Sequence, residues 1–134
     1  MFPYVNRYRD SITKYEPVRI PDIVVVELGA NDDKNDTAGF VAAYNQLIDQ
    51  IREKYGPDVK IVWTGQNYNQ YNSAQYVANE RQDANMFAFQ FNYGGSGSAA
   101  VETQKEGHPD ANEQKAFADA LCGFLRRYVL VEKS

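Results

Sequence analysis

The chain is poor in several residues whose abundance would define a class of protein. Its 134 residues include one cysteine, one histidine and one tryptophan. The single cysteine, Cys122, excludes an internal disulfide. Cys122 falls in a helical apolar pattern, which predicts a small buried side chain rather than a reactive thiol.

Long apolar runs and clustered basic residues are also missing. No segment reaches the length of a membrane-spanning helix, and the first ten residues lack the apolar stretch of a signal peptide. The net charge is −4, and no basic stripe is visible that could neutralise phosphates. We therefore expect neither a membrane nor a nucleic acid as partner. With 43% apolar and 24% charged residues, the composition is that of one globular domain, residues 1–134.

Three short apolar runs predict buried parallel strands, and amphipathic segments between them predict helices. The predicted strands are Ile23–Leu28, Lys60–Thr64 and Met86–Phe91. The predicted helices run from Asp36 or Thr37 to Tyr55, from Ser73 to Asp83, and from Pro109 onwards. The last helix is expected to bury Phe117, Ala118, Leu121, Cys122, Leu125 and Val129. Alternation of strand and helix predicts an α/β fold, half of a doubly wound sheet, after an irregular or helical lead-in at 1–20.

Ligands of such sheets bind beyond the carboxyl ends of the strands. Three predicted loops lie at that edge: 29–36, 65–71 and 94–108. The second loop contains Tyr68 and Tyr71, which are candidates for stacking on sugar. Trp63 lies on a strand and is expected in the core.

Two short motifs at this edge contain residues suited to acyl transfer. Gly29 and Asn31 follow the first strand, where an amide donor can stabilise negative charge on a carbonyl oxygen. His108, the only histidine, precedes the last helix, where an imidazole can act as general base. Taken singly, the first motif is better explained as an ordinary turn, and the second is about equally well explained as a loop made rigid by Pro109.

Together, the stretches LGAND and GHPDANEQKAFADAL resemble the conserved blocks of the SGNH, or GDSL, hydrolase superfamily. PDIVVVELGANDD and HPDANEQKAFADAL are most similar to the carbohydrate esterases of family two, which remove acetyl groups from plant-wall polysaccharides. The resemblance spans Pro21 to Leu125. It implies the carboxyl-terminal half of a flavodoxin-like, three-layer α/β/α fold, and a secreted protein.

The resemblance also implies roles for individual residues. Asn31 would donate to the oxyanion, Gly29 would shape its turn, and His108 would deprotonate a serine and later protonate the leaving alcohol. The substrate would be an acylated carbohydrate or another small ester. No cofactor and no metal are expected, since the cluster of Asp32, Asp33 and Asp36 lacks calcium-loop spacing and is better explained by helix capping and solvation.

The chain departs from the family pattern at the residues that would complete the site. Lys105 stands where an aspartate usually orients the histidine. Ser11 is too close to Gly29 for the family's nucleophile, because a strand–helix–strand unit needs about 30 residues. Ser96 and Ser98 lie in a Gly/Ser-rich stretch typical of a flexible loop. The chain alone is therefore expected to be a poor esterase.

The missing nucleophile leaves other possibilities open. The chain could require an amino-terminal half, or pair with a second copy through an exposed edge strand. A different class of function is a non-catalytic relative that binds carbohydrate or protein in the same cleft. An unrelated flavodoxin-like nucleotide-binding or receiver domain is disfavoured, because no phosphate-cradling loop is present.

Overall fold

A computed structural model describes residues 19–29, 32–91 and 110–131. The elements in these ranges are β1 (Ile23–Val26), α1 (Thr37–Tyr55), β2 (Lys60–Gly65), α2 (Tyr68–Glu80), β3 (Met86–Gln90) and α3 (Ala111–Phe124). A single π-helical turn, Leu125–Val129, continues α3. None of these helices has both the length and the apolar character required to cross a bilayer.

The three strands form one parallel sheet in the order β1-β2-β3. Val25 pairs with Val62, which pairs in turn with Phe87, so β2 is the central strand. Four consecutive residues of β2, Ile61–Thr64, are fully buried, as their apolar run predicts. The predicted α/β architecture with three parallel strands is confirmed.

Helices α1 and α2 cover one face of the sheet. Strand order follows chain order, so two crossovers of the same hand place both connecting helices on the same side. Alternate strand residues, including Trp63 of β2, point into this layer and meet Ile48 and Ile51 of α1 and Val77 of α2. These side chains are almost completely buried, so the main core lies between the sheet and these two helices.

The opposite face is covered by α3 through aromatic contacts. Phe89 of β3 lies 6.1 Å from the Phe117 ring and 5.0 Å from the Phe124 ring, centroid to centroid. Val62 and Thr64 of the central strand are fully buried, whereas Val25 of β1 is 47% exposed. On this face, the described residues therefore cover β3 and β2, whereas β1 is partly exposed to solvent.

An ion pair fixes the end of the sheet where the strands begin. Arg52 of α1 donates from Nε and Nη2 to Asp83 Oδ2 at 2.9 and 2.8 Å, and its Nη1 donates to the carbonyl oxygens of Gly56 and Val59. Asp83 also accepts from the backbone N–H of Asn85. One arginine thus ties together the end of α1, the start of β2 and the turn before β3.

Two predictions about helices are wrong. Helix α2 begins at Tyr68, not Ser73, because Asn67 caps it by accepting from the backbone N–H of Gln70 at 3.1 Å. In α3, Phe117 and Phe124 are the residues that face β3, so Cys122 is turned outward and exposed, as is Ala118. Strand β1 also ends at Val26, short of the predicted Leu28.

Replacing Arg52 tests the contribution of the ion pair. We expect Arg52→Ala to lower the free energy of unfolding by about 2–3 kcal/mol, because it leaves a largely buried carboxylate without its partner. Chemical denaturation checks this value. The matched control is Lys115→Ala, which removes a fully solvated ion pair with Asp119 and should not change stability measurably. Equal effects of the two substitutions would contradict the assigned role.

Tyr44 offers a test of the core and of its pH dependence. The side chain is buried, its hydroxyl has no hydrogen-bond partner among the described residues, and burial together with the nearby Asp83 carboxylate raises the pKa of the phenol. Tyr44→Phe should therefore raise the free energy of unfolding by up to about 1 kcal/mol. A loss of stability would instead reveal a hydrogen bond to the hydroxyl.

The raised pKa of Tyr44 also determines how the free energy of unfolding changes at alkaline pH. The unfolded phenol ionises near its ordinary value of about 10, whereas the folded phenol resists ionisation. The wild-type chain should therefore lose stability as pH rises above about 10, more steeply than Tyr44→Phe. Denaturation curves of both chains across this range measure the difference.

Candidate functional site

Gly29 begins the loop that follows β1, and its backbone requires glycine. Its φ is +99°, in the left-handed region that side chains disfavour. A Cβ at this position would lie 2.5 Å from Nε2 of Gln70. Both observations explain why glycine stands at this position.

The loop from Gly29 to Asp36 is held by side chains from β2 and α2. Trp63 Nε1 donates to the Leu28 carbonyl oxygen at 3.3 Å, and Gln70 Nε2 donates to that of Gly29 at 2.6 Å. Further along, Asn69 Nδ2 donates to the carbonyl oxygen of Lys34 at 3.2 Å. The loop is therefore anchored at both ends by neighbouring elements.

Hydrogen bonds within the loop order it further. The backbone N–H of Asp32 donates to the Gly29 carbonyl oxygen at 3.2 Å. Asp33 accepts from the backbone N–H of Asn35, and Asp36 accepts from that of Gly39 and caps α1. The capping role predicted for the acidic cluster is thus confirmed for Asp36. No group of His, Cys, Asp and Glu side chains suited to a metal ion occurs in the described ranges.

A cavity of about 570 Å³ opens at the carboxyl end of β1, between this loop and the first turns of α1. Its lining combines carboxylates with aromatic rings. The charged and aromatic members are Glu27, Asp32, Asp33, Asp36, Phe40 and Tyr44. Among the described residues, four carboxylates and no basic side chain line the cavity, and their negative charge disfavours anionic ligands.

The two residues with the main predicted chemical roles, Asn31 and His108, lie outside the described residues, as do Ser11, Ser96 and Ser98. Their roles stay predictions. The one serine in the described ranges, Ser73, is buried in α2 and donates from Oγ to the carbonyl oxygen of Asn69 at 2.8 Å. It is therefore not placed as a nucleophile.

Tyr68 and Tyr71 lie in α2, so their predicted placement in a loop is wrong. Tyr68 is the first residue of the helix and is 66% exposed, which leaves its ring free to contact a ligand. Tyr71 is partly buried, accepts a hydrogen bond from Gln75 Nε2 at 2.8 Å, and lines a second cavity beside Phe124 and Tyr128. The two rings therefore lie in different surroundings, and Tyr71 does not line the cavity beside Gly29.

Gln70 is the functional residue that sequence analysis missed. It is 4% exposed, and its amide supports the Gly29 turn directly. The signal that could have revealed it is Asn67, a favoured capping residue, which moves the start of α2 upstream and turns Gln70 inward.

Comparison of the chain with protein-family models, curated proteins and solved structures finds no match. The assignment of function therefore depends on the residues and geometry of the chain itself.

Gly29→Ala tests the geometry of the turn. We expect it to lower the free energy of unfolding by about 2–3 kcal/mol, from backbone strain together with the clash against Gln70. In a Gln70→Ala background the same substitution should cost about 1 kcal/mol less, because the clashing amide is gone. A double-mutant cycle measured by chemical denaturation gives this difference, and strictly additive effects would exclude the contact.

Proposed function

We propose that this chain is part of an SGNH-type ester hydrolase that acts on neutral acylated carbohydrates, with Asn31 as oxyanion donor and His108 as general base. The observation that supports this most is the anchored loop after β1. A donor can stabilise a developing oxyanion only if it is held in place before the reaction, since reorientation in the transition state costs free energy.

The described residues that flank Asn31 in the sequence are held by hydrogen bonds, which supports the proposal. Gly29 and Asp32, on either side of residues 30–31, are joined by a backbone hydrogen bond, and Gln70 fixes Gly29 from α2. The loop also follows a strand at the carboxyl edge of a parallel sheet, where α/β enzymes bind their ligands.

The cavity beside the loop narrows the substrate class. Its four carboxylates repel anionic substrates such as uronate or phosphate esters, whereas a neutral acetylated sugar meets no such barrier. Carboxylates accept hydrogen bonds from sugar hydroxyls, and the Phe40 ring adds an apolar surface. The exposed ring of Tyr68, at the start of α2, is a further candidate contact for sugar.

A second candidate function is a non-catalytic relative that binds carbohydrate through the same cavity. The observation in its favour is that Ser73, the serine of the described ranges, is locked by a hydrogen bond inside α2. Binding of acetylated oligosaccharide without hydrolysis would support this candidate.

Hydrolysis of 4-nitrophenyl acetate by the full chain separates the two functions. We expect a low rate, because the loss of a nucleophile costs on the order of 10⁶ in comparable hydrolases. His108→Ala should lower the remaining rate towards that of the buffer, because without a serine the imidazole can act only as a general base for water. Asn31→Ala should lower it similarly.

The matched control is Asn79→Ala, which truncates an exposed asparagine near the end of α2, where the chain turns back towards the start of β3. This variant should keep the wild-type rate. Equal rates for the wild type and for His108→Ala would exclude catalysis by this chain.

A further inference from the structure

The outer edge of β1 is open in the part of the chain that the structure describes. β1 pairs there with β2 alone. The Asp22 carbonyl oxygen accepts from the backbone N–H of Lys60, so Asp22, Val24 and Val26 direct their backbone groups towards β2. The backbone groups of Ile23 and Val25, which alternate with these, point outward and are available to another strand.

This edge lacks the features that usually prevent pairing with another chain. The strand reads IVVV, without a charged residue or proline. Val25 is 47% exposed although its partner on β2, Val62, is fully buried. Ile20 before the strand and Leu28 after it are 62% and 52% exposed. The edge therefore presents three exposed apolar side chains, at Ile20, Val25 and Leu28.

We propose that this edge pairs with the same edge of a second copy of the chain, antiparallel about a two-fold axis. Two identical strands can form a closed, symmetric interface only in the antiparallel sense. The outward backbone groups restrict the register, because only outward residues can exchange hydrogen bonds with each other, and one allowed register pairs Ile23 of each copy with Val25 of the other. Val24 lies on the axis opposite its own counterpart.

The side chains are complementary in this register. Ile20 of one copy lies opposite Leu28 of the other at both ends of the interface, so two exposed apolar side chains cover each other. Arg19 lies diagonally across from Glu27, within reach of a long side chain. Both charged residues are exposed in the single chain, and neither forms an ion pair with another described residue. The charges at the two ends thus favour the antiparallel arrangement.

The inference does not depend on the proposed function. Antiparallel pairing directs the carboxyl ends of the two β1 strands in opposite directions, so the two Gly29 loops lie at opposite edges of the joined sheet. A second copy therefore brings its Arg19 and Ile20 beside Glu27 and Leu28 at the rim of the cavity, but it adds no residue with a proposed chemical role. A separate polypeptide that supplied a nucleophile as a parallel strand would compete for this same edge.

Analytical ultracentrifugation of the full chain tests the proposal. We expect a dimer that dissociates in the micromolar range, since pairing of short strands buries less surface than a standard interface. Val25→Lys should yield a monomer with an unchanged far-ultraviolet circular dichroism spectrum. The matched control, Tyr76→Lys, places the same charge at a similarly exposed site on α2 and should leave the dimer intact. A monomeric wild-type chain across this range overturns the proposal.

Exchanging the charges of Arg19 and Glu27 tests the register, and both residues lie outside β1, so the strand itself is not changed. Arg19→Glu and Glu27→Arg should each weaken the dimer, because each places like charges across the axis. The double variant should restore wild-type association. If the single variants dimerise as well as the wild type, the proposed antiparallel register is wrong.

Discussion

The indole of Trp63 joins the core of the domain to the loop that follows β1. Its side chain is fully buried and packs edge-on against the Phe40 ring at 6.1 Å, while its Nε1 donates to the Leu28 carbonyl oxygen. A buried indole N–H needs an acceptor, and here the acceptor is the carbonyl oxygen of a residue that follows the neighbouring strand, β1. The position at which the loop leaves β1 is thereby tied to packing in the core.

Hydrogen bonds from β2 and α2 hold the described residues of the candidate site in place. Trp63 fixes the beginning of the loop, Gln70 fixes the Gly29 turn, and Asn69 fixes the far side at Lys34. Carboxylates then line the space between the loop and α1. Hydrogen bonds to Leu28, Gly29 and Lys34 beside a negatively charged cavity suit the binding of a neutral ligand. This combination is the physical basis of the proposed ester hydrolase.

The sequence predicted the elements whose patterns are strong and local. The β-branched run at Ile23–Val26 and the apolar run of β2 are typical of strands, so both strands were identified close to their observed limits. Helix α1 was predicted with both ends correct, because Asp36 caps it and Gly56 with Pro57 ends it.

Other features depend on tertiary contacts that no local pattern reports. The segment from Asn67 to Asn72 is rich in amides and aromatic rings, which favour a loop by composition, yet burial of Gln70 and Ala74 against the sheet makes it helical. Cys122 followed an apolar pattern, but α3 contacts the sheet through Phe117 and Phe124, which leaves the thiol in solvent. Asn31 and His108 lie outside the described residues, so their roles stay predictions.

The sequential order of the strands has a consequence for how the polypeptide acquires its structure. Each strand pairs with the one that precedes or follows it in the chain, so β1, α1 and β2 can assemble before β3 has been synthesised. Until β3 has been synthesised, β2 is itself an edge strand, and its uncharged segment Ile61–Thr64 lacks the partner strand that it has in the folded domain. The most deeply buried strand of the finished domain is thus the one at greatest risk of aggregation during synthesis.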